Sequence, residues 1–162
     1  MTSKIDEKRE LLRHTLATLA YRGGKAMRDV PANVASFRLS DESRSASEIL
    51  AHVGDLLDWA LCLAKGEHPW KESPPLAWEQ DVERFHSALQ KLDDHLATGE
   101  PLGFPLERLF QGPIADALTH VGQIAMLRRV AGAPMRGENY FKAEIQVGRV
   151  GPDQDAPRLE FD

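Results

Sequence analysis

The stretch GPIADALTHVGQIAMLRRVAGAP, residues 112–134, is punctuated at both ends like a helix. Pro113 stands where a first helical residue belongs, a place at which a missing N–H costs nothing. Gly132 stands where a left-handed residue closes a last turn. Between them Ala117, His120, Ile124, Leu127 and Ala131 recur at steps of 3-4-3-4, which is one face of a helix. A histidine therefore occupies a position on the apolar face where leucine is the ordinary resident. Asp116 lies one turn before it, on the same side.

Three further segments carry the same periodicity. Leu12, Leu16 and Leu19 mark the first. Ile49, Val53, Leu56, Ala60 and Leu63 mark the second, and Val82, Phe85, Leu89, Leu92 and Leu96 the third. Gly23-Gly24 can end the first segment. Ser45 with Glu48 three residues on forms a capping box before the second, and Gly66 closes it. Ser73-Pro74-Pro75 precedes the third and Gly99 follows it. The spacing predicts helices near 4–22, 46–65, 75–98 and 113–131, and an all-α, antiparallel four-helix bundle with long loops. Residues 23–44 and 99–112 are long connections, of a length that often covers a site. The tail, 133–162, is rich in proline and glycine. It reads as irregular, with an extended stretch at Glu144–Val147. The chain thus divides into a bundle over 1–132 and a tail over 133–162, packed on that bundle or on a neighbouring subunit.

The bulk numbers exclude some functions. A chain of 162 residues is one domain, large enough to bury a core without disulfides. Its net charge is −5 and its only basic cluster is Arg128-Arg129, a poor footprint for nucleic acid. Cys62 is the single cysteine, so no internal disulfide forms. The start MTSKIDEKRELL lacks the apolar run of a signal peptide, and no apolar run approaches about eighteen residues. A cytoplasmic protein without a membrane span is the expectation.

His52, on the bundle-facing flank of the second helix, is the natural partner for Asp116 and His120. Two imidazoles and a carboxylate between facing helices can hold one divalent ion with open positions left for water or substrate. A plainer reading stays open from spacing alone. A lone interior histidine is more often a hydrogen-bonded core residue, and an acid in a first helical turn complements the helix dipole.

Other candidates carry bland readings. His14 falls opposite its stripe and is solvated. His68 lies in a loop, and His86 borders the third stripe. His95, Arg128 and Arg129 sit near helix C-termini, where positive charge is favourable; one of the two arginines is also a candidate for binding an anionic substrate group. Asp55 is either a solvated acid or an acceptor that orients His52. Cys62 reads as a small core residue.

The stretch SASEILAHVGDLLDWALCLAKG, residues 45–66, together with residues 112–134, resembles the two metal-binding segments of the DinB/YfiT-like superfamily. The second carries His120 followed by x-Gly122-Gln123, then Arg128-Arg129 and a glycine-proline stop. The resemblance spans about residues 5–135. It implies a four-helix bundle of that type with a divalent metal on three side chains, commonly three histidines. His52 and His120 match two of those positions; the third falls on Asp116. Zinc or nickel is the first expectation for the ion, and iron or manganese the next. The implied activity is metal-dependent hydrolysis or thiol transfer on a small molecule, with a low-molecular-weight thiol among the candidates. No catalytic base is identified beyond Asp55 or an acid from a loop. The implied assembly is a homodimer. The alternative is a non-catalytic stress-response or binding module with a structural or vestigial metal.

Overall fold

The structure, a computed structural model, describes residues 4–162. In chain order it runs α1 (Lys4–Met27), α2 (Ala32–Ala35), α3 (Ala46–Ala64), α4 (Trp78–Ala97), α5 (Leu106–Leu109), a π turn (Phe110–Ile114) and α6 (Ala115–Val130). The tail adds a two-residue antiparallel pair, β1 (Gly137–Glu138) with β2 (Glu160–Phe161), and a 3₁₀ turn (Tyr140–Lys142). The fold is all-α. Among the described residues, no helix is long and apolar enough to cross a membrane.

Local chemistry sets the helix that carries His52. The Ser45 hydroxyl accepts the Glu48 N–H at 3.2 Å, and the Glu48 carboxylate accepts the Ser45 N–H at 2.6 Å. This is the capping box read from the sequence, and it starts α3. Gly66, at φ 88°, closes the other end, as Gly132 closes α6. The apolar stripes meet as the periodicity requires. Leu16, Leu19, Leu50, Leu57, Phe85, Leu89, Leu92 and Ile124 are fully buried in one cluster. α3 packs on α4 and α6, and α1 packs on the same two, which puts α1 diagonal to α3 across the core.

Three boundaries differ from the sequence expectation. Gly23-Gly24 does not end α1, which continues to Met27. A Cβ on Gly23 would lie 2.6 Å from the Phe85 ring, so this glycine is a packing notch inside a helix. The third helix begins at Trp78, not at residue 75, because Pro74-Pro75 belong to the preceding loop. Pro113 does not open the fourth helix. Helical structure already runs from Leu106, and Pro113 sits inside the π turn that joins α5 to α6. Its missing N–H breaks the ordinary ladder, and the wider turn absorbs the break.

The tail is tied to this same chain. Glu138 is buried and its carboxylate accepts from the Tyr21 hydroxyl at 2.5 Å and from Lys25 Nζ at 2.7 Å. Burial and then the Glu138 contact push the Tyr21 hydroxyl well above its usual pKa. Burial pulls the Lys25 ammonium down, but its bonds to Glu138 and Glu160 outweigh this and its pKa is raised. Val150 is fully buried, and its carbonyl lies 3.0 Å from His86 Nδ1. Glu144–Val147 forms no strand; the extended pairing uses Gly137–Glu138 and Glu160–Phe161 instead.

Candidate metal centre

Asp116 and His120 are i, i+4 on α6 and share a face. The π turn sets which way that face looks. One extra residue in a turn rotates everything after it by about 100° relative to an unbroken α-helix. In this register Ala117, Val121 and Ile124 enter the core, while Asp116 and His120 meet His52 on α3.

The three side chains converge. Asp116 Oδ1 is 3.3 Å from His120 Nε2, and Asp116 Oδ2 is 3.7 Å from His52 Nε2. One ligand atom from each residue fits within 4.8 Å of the others, and no other such group occurs among the described residues. The two imidazoles stand edge to face, with centroids 4.8 Å apart and an interplanar angle of 88°. The imidazoles are well covered, at 15% and 12% side-chain exposure, and Asp116 at 48% is the open side.

The spacings are long for simple hydrogen bonds, and the ligand atoms could converge on one cation. Ordinary N–H···O bonds cluster near ~2.9–3.0 Å. Two donors on one tetrahedral ion with bonds of about 2.0–2.1 Å stand roughly 3.3–3.4 Å apart. The 3.3 Å spacing matches the second value, and the 3.7 Å spacing, made by the other carboxylate oxygen, exceeds both. The ring orientation fits as well. His120 Nδ1 lies 2.7 Å from Gln123 Oε1, so Nδ1 is engaged there and Nε2 is the nitrogen that faces the cluster. Burial, then the charge of Arg44, then His120 hold the His52 pKa below its usual value, and Asp116 offsets this only in part. His52 is therefore neutral at neutral pH, the form in which imidazole ligates. The donor set fits a divalent ion.

The surroundings are built from loops. Trp70 stands edge-on to His52 at 5.7 Å and to Trp59 at 5.5 Å. Asp55 fixes the loop that carries it. This acid is neither solvated nor bonded to His52. It is buried, accepts the Ser73 N–H at 2.8 Å and pairs with Arg84 at 2.7 Å. Two cavities flank the cluster. One, of about 390 Å³, includes Leu39, Arg44, His120 and Met126 in its walls. The other, of about 410 Å³, includes Leu56, Trp59, Gln111, Asp116 and Thr119.

The remaining candidates lie elsewhere. His14 is exposed on α1 and His95 is half-buried near the end of α4. His68 is exposed and packs edge-on to Trp59 and Phe104. His86 is buried against the tail. Arg128 is not available to a substrate. It is buried and donates to the carbonyls of Ala26, Arg28 and Ala133, closing the ends of α1 and α6. Cys62 is free and half-buried. Sequence reasoning missed Gln123 as the partner of His120, although the i, i+3 spacing placed them together. Trp70 and Arg44 reach the site from loops, and no periodicity announces them. Comparison with protein-family models, with curated proteins and with solved structures finds no match for this chain.

Proposed function

We propose that the chain is a DinB/YfiT-like metalloprotein that holds a divalent ion on His52, Asp116 and His120 and uses it in hydrolysis or thiol transfer. The observation that carries this is the His120–Gln123 contact at 2.7 Å, which commits Nδ1 and leaves Nε2 facing Asp116 and His52. A largely covered imidazole pair beside a half-exposed carboxylate is an arrangement that a divalent ion satisfies at all three groups. Two nitrogens and one oxygen suit zinc or nickel first, and iron or manganese next. When bound, such an ion lowers the pKa of a water or thiol so that it reacts as a nucleophile near neutral pH. The chain's own residues hold the ligands in place. Gln123 fixes one ring, Trp70 backs the other, and the half-exposed Asp116 leaves an approach from solvent.

One observation favours a second, non-catalytic reading. Neither flanking cavity has a carboxylate or imidazole in its walls other than Asp116 and His120, so the chain offers no separate general base there. A stress-response or binding module with a structural ion fits that lack. The two are separated by assaying metal-loaded protein for thiol transfer and for ester and amide hydrolysis, with and without a chelator. Turnover that disappears on chelation supports the enzyme. A melting temperature that falls on chelation, with no turnover in either panel, supports the module.

A further inference from the structure

We infer that the cavity beside His120 binds a small carboxylate with an apolar body, its carboxylate paired with Arg44. This rests on the metal reading above for the chemistry that follows, and it names the class of substrate that site accepts. The walls set the body of the ligand. Ile49 and Leu127 are buried behind the cavity, while Leu39 and Met126, at 63% and 51% exposure, leave large apolar side chains in water at its rim. A ligand with an apolar portion covers them, and methionine adapts to varied shapes.

Arg44 sets the charge. It lines the cavity and makes no hydrogen bond or ion pair among the described residues. Asp41 and Glu42 precede it without pairing with it, and the polar side chains on its other flanks are already engaged. The Glu48 carboxylate accepts from Ser45 N and pairs with Arg38. The Ser43 hydroxyl is held in its own turn, donating to Ser40 O and accepting from Ser40 N. On the opposite wall His120 and Gln123 are committed to each other. The guanidinium is thus the uncommitted cation of a cavity whose other polar side chains are engaged, and its planar fork matches a carboxylate. A single arginine balances one negative charge, which favours a carboxylate over a phosphate bearing nearly two. Arg44 comes from the loop before α3 and His120 from α6, so a ligand touching both lies against the cluster.

The test compares hexanoate with its neutral isostere hexanamide by titration calorimetry, on chelator-treated protein, so that no ion competes for the carboxylate. Wild type is expected to bind hexanoate roughly tenfold or more tightly than hexanamide, and Arg44→Gln to erase that preference. Arg44 is exposed, so the variant keeps the wild-type melting temperature. Equal affinity for the two ligands in wild type, a preference that survives in Arg44→Gln, or no binding of either, overturns the inference. Metal content, measured separately on untreated protein, reports on the metal reading. Its failure leaves the Arg44-dependent preference readable in the chelated protein.

Discussion

Gln123 shows how much of the site depends on a single hydrogen bond. Its carbonyl oxygen holds His120 Nδ1 at 2.7 Å and so turns Nε2 toward the carboxylate. Replacing it with leucine removes the acceptor but keeps a good helix former on an exposed position of α6. Gln123→Leu is expected to weaken zinc binding by about 10- to 100-fold in competition with a chromophoric chelator. Its stability is expected to stay within about 0.5 kcal/mol of wild type. Loss of folding together with metal would instead mark Gln123 as a packing residue. His52, Asp116 and His120 stood out in the sequence as residues that interrupt or flank apolar stripes, but spacing left a plainer reading open, and it is the fold that brings the three together. The pairings of Asp55 and Arg128 were not, since their partners are backbone groups and side chains distant in sequence.

Between elements, side chains that are absent matter as much as those present. Gly23 lets α1 approach α4, with the Phe85 ring filling the space of the missing methyl. Alanine there gains about 0.5–1 kcal/mol of helix propensity and meets an overpacking cost of about 1–3 kcal/mol. Phe85 is fully buried and has no room to retreat. Gly23→Ala is therefore expected to be net destabilising in urea denaturation, whereas Gly122→Ala, with nothing within 4 Å, is expected to stabilise. A stabilised Gly23→Ala would show that the α1–α4 contact is loose. The two-glycine signal is ambiguous in a sequence because a terminator and a packing notch use the same residue. Pro113 is ambiguous for a similar reason: proline marks a helix start, but a π turn accommodates it inside one. Ser45 and Glu48 were unambiguous because their chemistry is completed within four residues.

At the scale of the whole molecule, the tail closes over the helical core while the cluster is built from α3 and α6. The tail packs on α1 and α4 through Glu138 and Val150, and His86 joins it to the core. Burial first, offset in part by the Val150 carbonyl, holds the His86 pKa below its ordinary value. The unfolded chain then takes up a proton near pH ~6.5 that the folded chain resists, so stability is full above that pH and falls as the solution is acidified. Thermal melting between pH 7.5 and 5.5 is expected to drop more steeply in wild type than in His86→Gln, and parallel curves would remove His86 from the account. No local pattern announced this docking, because β1 and β2 pair from opposite ends of the tail. The His52–Asp116–His120 cluster is likewise a property of the whole fold, since it needs α3 and α6, far apart in sequence, brought to one place in one register. Its most direct test is elemental analysis of protein purified without an affinity tag, as wild type, His52→Ala and Asp116→Ala. The account predicts one divalent ion per chain in wild type and loss of that ion in both variants. Metal-free wild type, or variants that keep the full complement, would contradict it.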